Sequence, residues 1–192
     1  MNIRSTIFAL ALVSSVAASA TAQVPSFQVY TDPALHELFY RCGTPNTTAE
    51  VFVVLTGANF EVSAVDFHIE YPPSLTWLGD FAPDAGYIGT EWVTIGNSPT
   101  GIAIAWANCC MTDGSQGPFV VMRALVYWSG PCNCTPFVVG GYEPLGKTQP
   151  SVVRNGDFRE FGASGVSTFY NPVFCATAVE KTTWGKVKSL YR

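Results

Sequence analysis

From residue 24 onward, apolar and polar positions alternate in short runs. Glycine, proline, asparagine and aspartate break them, and no stretch holds a helical period over a useful length. Two runs dominate, residues 102–107 and 119–128. Between them lies a polar connection containing Asp113-Gly114-Ser115 and Gly117-Pro118, which are strong turn formers. The second run is apolar on both alternating sets. Phe119, Val121, Leu125 and Tyr127 form one; Val120, Met122, Ala124, Val126 and Trp128 form the other. A strand of that kind belongs inside a sheet with both faces covered. The pattern predicts that the two runs pair as a hairpin at the centre of an all-β domain.

Around that centre, strands are predicted at 27–30, 50–56, 62–71, 75–78, 91–95, 137–139, 151–154, 158–161 and 166–170. Residues 62–71 alternate well, with Val65, Phe67, Ile69 and Tyr71 on one side and Asp66, His68 and Glu70 on a wet face. Residues 34–40, inside the loop 32–46, have room for one or two helical turns. Asn155-Gly156 between two β-prone runs is the strongest short hairpin signal. Nine to eleven short strands with turns every eight to twelve residues describe an antiparallel β-sandwich in preference to a barrel.

The N-terminus adds a targeting signal. Arg4 precedes an apolar stretch at 7–16, and small residues end at Ala20-Thr21-Ala22, the layout of a secretory signal peptide. The expected organisation is a signal peptide at 1–22, a sandwich domain at 23–176 and a basic-aromatic tail at 177–192. No later segment is apolar enough to be transmembrane, so the expected location is secreted, periplasmic or cell-surface. Charge is uneven. Residues 23–180 hold all 14 acidic groups against five basic ones, a balance of −9, and the last twelve residues carry +4. An acidic body argues against a nucleic-acid partner.

Six cysteines, Cys42, Cys109, Cys110, Cys132, Cys134 and Cys175, fit an oxidising compartment. If 102–107 and 119–128 pair, the Cys109/Cys110 and Cys132/Cys134 clusters lie at opposite ends, roughly 30 Å apart. A disulfide needs Cα atoms within about 7 Å. Cys42 and Cys175 are therefore the expected partners, one for each cluster, with Cys42 assigned to the Cys132/Cys134 end. Soft-metal binding by these thiols is the alternative, but no histidine lies near them, and no metal or other cofactor is expected.

Candidate chemistry is sparse. His36 has no nucleophile motif around it, and His68 stands between Asp66 and Glu70. Residues at i and i+2 on one flat face spread about 7 Å apart, too far to converge on a metal, so an ordinary polar face is expected there. No G-x-S-x-G, H-E-x-x-H or phosphate loop occurs, and no catalytic residues are assigned. Asp80, Asp84 and Glu91 offer carboxylates for glycoside hydrolysis or calcium, in a pattern as loose as a solvated turn's. Trp77 and Trp92 flank the loop 79–89, with Phe81 and Tyr87 inside it. These four are the candidate binding aromatics, set against the reading that they cap the sandwich end. Arg123 interrupts the apolar run 119–128 and calls for an acidic partner on a neighbouring strand. Asn46-Thr47-Thr48 and Asn133-Cys134-Thr135 match the glycosylation pattern.

Two stretches carry a resemblance. Thr182-Thr183-Trp184-Gly185-Lys186-Val187-Lys188-Ser189-Leu190-Tyr191-Arg192 resembles the W-G-x-[IV]-K-x-L-Y-R tail of a family of short, uncharacterised exported bacterial proteins. Residues 95–105 are similar to an I-G-N-S-x-T-G-[IV]-A-[IV]-A segment of the same proteins. The resemblance implies export and a shared C-terminal tail, and brings no catalytic residues. In strand count and acidic body the domain also looks like cohesin-type or immunoglobulin-like sandwiches, which are binding modules. The expected function is a non-catalytic module for a protein or cell-surface partner. The alternatives are a carbohydrate-binding module built on the four aromatics, and third a secreted hydrolase. In the tail, Trp184, Val187, Leu190 and Tyr191 fall close to one helix face. With Lys186, Lys188 and Arg192 they form the expected handle for export or attachment machinery.

Overall fold

A computed structural model describes residues 24–32, 34–35, 45–83, 92–106, 117–130 and 135–168. Within them the chain forms β1 (Ser26–Tyr30), β2 (Thr48–Thr56), β3 (Val62–Glu70), β4 (Leu75–Phe81), β5 (Trp92–Asn97) and β6 (Gly101–Trp106). Then come β7 (Phe119–Trp128), β8 (Val138–Gly140), β9 (Ser151–Arg154), β10 (Glu160–Gly162) and β11 (Ser164–Gly165). A 3₁₀ turn at Glu143–Leu145 is the only helix among the described residues. One sheet runs β11-β1-β2-β7-β4; the other runs β10-β9-β3-β6-β5, with β8 also paired to β3. This is the all-β sandwich that the pattern predicts.

Period-two alternation gives each sheet one apolar face, and the two apolar faces meet. Phe27, Val29, Val51, Val53, Leu55, Met122, Ala124, Val126 and Trp128 come from one sheet. Val65, Phe67, Ile69, Ile102, Ile104, Trp106 and Val152 come from the other, and all are buried in one cluster. Phe27 and Phe67 join the sheets directly, with ring centroids 5.3 Å apart. A second, smaller cluster lies on the outer side of the first sheet, where Tyr30, Phe52, Val54 and Val120 are buried and Leu35 packs against them.

Three expectations are corrected. Residues 102–107 and 119–128 do not pair: β6 lies between β3 and β5, and β7 between β2 and β4. A tight loop would have forced a hairpin. The connection here is long enough to cross the roughly 10 Å between the sheets, so each strand turns its apolar side inward from its own sheet. Second, the two faces of β7 are not those that simple alternation gives. The β2–β7 register shifts at Val53/Val54, where Met122 pairs with Val53 and Val120 with Val54, leaving Val121 as the extra residue. That bulge sends Val120 to the outer cluster and both Val121 and Met122 inward. Leu125 and Tyr127 remain half-buried, so the second face is only partly covered. Third, Asp66 and His68 are not on a wet face; both are buried.

Other readings hold. The Asn155-Gly156 turn joins β9 to β10 as an antiparallel pair. β4 continues to Phe81, past the predicted end at 78. The predicted strand 166–170 is not found over 166–167; nearby, β11 pairs with β1 and Thr168 bridges Phe137, while 169–170 lie outside the described residues. The signal peptide, most of 34–40, all six cysteines and the tail lie outside the described residues, as do the domain boundaries at 22 and 176.

Phe67 is fully buried between the sheets. Phe67→Ala should destabilise the domain by about 3–5 kcal/mol, measured as a lower urea midpoint with unchanged m-value.

Candidate functional site

Three of the four candidate aromatics, Trp77, Phe81 and Trp92, lie among the described residues. Trp77 is on β4 in one sheet and Trp92 on β5 in the other, both half-buried and packed against the core. Phe81, at the end of β4, is 46% exposed. Tyr87 lies outside the described residues, as do His36, Asp84 and Glu91.

Asp80 is occupied structurally. Its carboxylate accepts from Trp77 Nε1 at 2.9 Å, from the Ser98 backbone N–H at 2.7 Å and from Ser98 Oγ at 2.6 Å. Because the Ser98 hydroxyl donates there, the Tyr71 hydroxyl, 2.7 Å away, donates to Ser98. Ser98 itself is fully buried in the β5–β6 turn, and its carbonyl accepts from the Ile69 N–H at 2.7 Å. Burial pushes the Tyr71 phenol far above its ordinary range; the Ser98 hydrogen bond opposes this and the Asp80 charge adds to it. The network ties the edge of one sheet to the β5–β6 turn of the other. The companion carboxylates of Asp80 in the sequence reading, Asp84 and Glu91, lie outside the described residues. Arg123 meets its predicted partner, with Nη1 3.4 Å from Glu50 Oε1 on β2, and its Nε donates to the Ala82 carbonyl at 3.0 Å.

The outer face of the β9-β3-β6-β5 sheet is the most distinctive surface. Strand register sets Val93 opposite Ala105 and Ile95 opposite Ala103. Ala105 in turn lies opposite Ala64, and Ala64 opposite Val153. Three alanines thus floor a shallow depression of about 140 Å³, with Val93 and Ile95 as a ridge on one side and Val153 on the other. Val93 is 55% and Ile95 67% exposed, high for large apolar side chains on a sheet.

The depression is bounded by a polar excursion. β9 pairs with residues 62–66 of β3 and β8 with 68–70, so the chain leaves the sheet between them, at 141–150. The excursion covers the face of β3 that the pattern marks as wet. Lys147 Nζ reaches Asp66 Oδ2 at 2.5 Å, Glu160 Oε1 at 2.6 Å and Ser151 Oγ at 3.2 Å. Ser151 Oγ also donates to Asp66 Oδ2 at 2.7 Å. Burial alone would lower the Lys147 pKa, but its hydrogen bonds to Asp66 and Glu160 outweigh that and hold it above the ordinary value. The Lys147 hydrogen bond, then that of Ser151, lowers the Glu160 pKa. These hydrogen bonds make the group a clamp that fastens the excursion to β3 and β9. The sequence pattern showed Asp66 and His68 but not what would cover them, because Lys147 lies far along the chain.

No protein-family model and no curated protein matches the sequence. The fold does match solved structures. The sixth cohesin of scaffoldin B from Acetivibrio cellulolyticus, crystallised in complex with a Cel5 dockerin, superposes with a TM-score of 0.50 at 15% identity, over 79% of this chain and 99% of that one. A cohesin module from a family 33 glycoside hydrolase of Clostridium perfringens gives 0.50 at 12% identity, over 78% and 96%. At such identities the likeness is one of fold, and it is the cohesin sandwich.

Removing the Asp80 carboxylate strands Trp77 Nε1 and both Ser98 donors. Asp80→Ala should cost about 2–3 kcal/mol, read from thermal or urea unfolding, with the β circular dichroism spectrum retained.

Proposed function

We propose that this chain is an exported, non-catalytic interaction module that docks a partner protein on the outer face of the β9-β3-β6-β5 sheet. The observation that carries the reading is the contrast between the two outward faces. On one sheet Tyr30, Phe52, Val54 and Val120 are buried in a cluster of their own. On the other, Val93, Ile95 and the alanines of β3 and β6 form an apolar patch open to solvent. An exposed apolar patch with a charged rim is what a protein-binding surface requires.

The dimensions favour a particular occupant. From β5 to β9 is three strand spacings, about 14 Å. An α-helix with side chains is about 10–12 Å across. A partner helix with a narrow apolar stripe fits over the alanine floor, between the β5 ridge and the Lys147–Asp66–Glu160 rim. That rim, one cation against two anions, favours a basic flank on the partner. The sandwich also resembles in fold a cohesin crystallised with a dockerin, which supports a protein partner. The carbohydrate reading is less favoured, because Trp77 and Trp92 are packed into different sheets and the Trp77 N–H is already bonded to Asp80.

Pull-down from the host's exported proteins, with the mature domain as bait, tests the surface. Ile95→Asp and Ala103→Arg should each abolish capture of a partner that wild type retains, with stability within about 0.5 kcal/mol of wild type. Capture unaffected by either change would place the interface elsewhere. Glycan-array binding lost in Trp92→Ala would support the carbohydrate reading instead.

Export rests on residues 1–22, and the tail is proposed as its attachment handle. Deleting 182–192 should leave the unfolding midpoint unchanged and alter the protein's distribution between cell fractions and medium. Identical distribution would make the tail inert.

A further inference from the structure

We propose that His68, Glu70 and Glu143 form a binding site for a divalent transition metal of the zinc class. His68 Nδ1 lies 2.6 Å from the Gly141 carbonyl oxygen, which can only accept, so Nδ1 carries a proton. In the neutral ring Nε2 then presents a bare lone pair. Metal-binding histidines are commonly oriented this way, with the second ring nitrogen donating to a backbone carbonyl.

Among the described residues Nε2 has no hydrogen-bond partner, and it is buried on a residue only 8% exposed. It faces two carboxylates, with Glu70 Oε1 at 3.7 Å and Glu143 Oε1 at 3.6 Å. Two anions and a lone pair repel one another unless a cation lies between them. Two metal bonds of about 2.1 Å at a tetrahedral angle separate their donor atoms by about 3.4 Å, close to the separations found. Imidazole with two carboxylates suits zinc and its neighbours better than calcium or magnesium, which prefer oxygen alone.

Among the described residues no three such side chains are already set around one point. The two glutamates complete the site by rotation, for which they are free: their side chains are 67% and 65% exposed, while the ring is fixed. The ring's seat is specific, since a Cβ at Gly140 would come within 2.2 Å of His68 Cε1. Same-strand geometry alone argued against a metal here. The missing ligand comes from Glu143, in the excursion between β8 and β9. Bound metal would pin that excursion to β3, leaving a coordination position for water.

The test uses the mature protein stripped with chelator and titrated with zinc by calorimetry at neutral pH, with cobalt absorption as a second readout. One equivalent should bind. Glu143→Gln and Glu70→Gln, both at exposed positions, should each weaken binding tenfold or more, and His68→Gln should abolish it. Cobalt bands should weaken in parallel. Zinc uptake equal in wild type and both glutamine variants would place the metal elsewhere and overturn the proposal. So would the absence of any zinc uptake by the wild-type protein at millimolar metal.

Discussion

Side-chain parity is the constraint on which the rest of this structure depends. Each strand has one face for the interior and one for the outside, and the interior is a single apolar cluster shared by both sheets. Where parity would place the wrong residue inward, the chain inserts a bulge. At Val53/Val54 the bulge on β7 keeps both Val121 and Met122 inside and sends Val120 out. On β3 a register shift between Val62 and Ala64 puts Val62 and Val65 in the same core although three positions separate them. The same shift turns Ala64 outward, to complete the alanine floor with Ala103 and Ala105.

Polar groups fix what apolar burial leaves undetermined. Burial has no direction, so it holds the sheets together without setting their edges. The Tyr71–Ser98–Asp80–Trp77 chain joins β4 to the β5–β6 turn across the gap between sheets. The Lys147 clamp fastens the excursion onto β3. Both arrangements lie beside the proposed docking face and fix its boundary, one at the β5–β6 turn and one at the rim facing Val153.

The sequence made the strands, the turns and the sandwich legible, because period-two patterning and turn chemistry are local. Arg123's need for a carboxylate was legible too, since a cation in an apolar run admits few solutions. Partner choice was not: the β6–β7 hairpin failed because the length of a connection permits a crossing without requiring one. The burial of Asp66 and His68 was hidden for a similar reason, as Lys147 and Glu143 reach them only once β8 and β9 have paired with β3. For the docking face, Val93 and Ile95 looked like ordinary strand residues, and only their place on the outer side of an edge strand leaves them bare. A faint sign was available in the run 101–106, where small and large apolar residues alternate.

The central claim is that an open, alanine-floored face binds a protein. Methyl resonances of the mature domain, followed as the captured partner is added, test it most directly. The account predicts shifts or broadening concentrated at Val93, Ile95, Ala103, Ala105, Ala64 and Val153, with Leu78 and Leu145 unmoved. Perturbation confined to β4, or to the outer cluster of Phe52 and Val54, would contradict it.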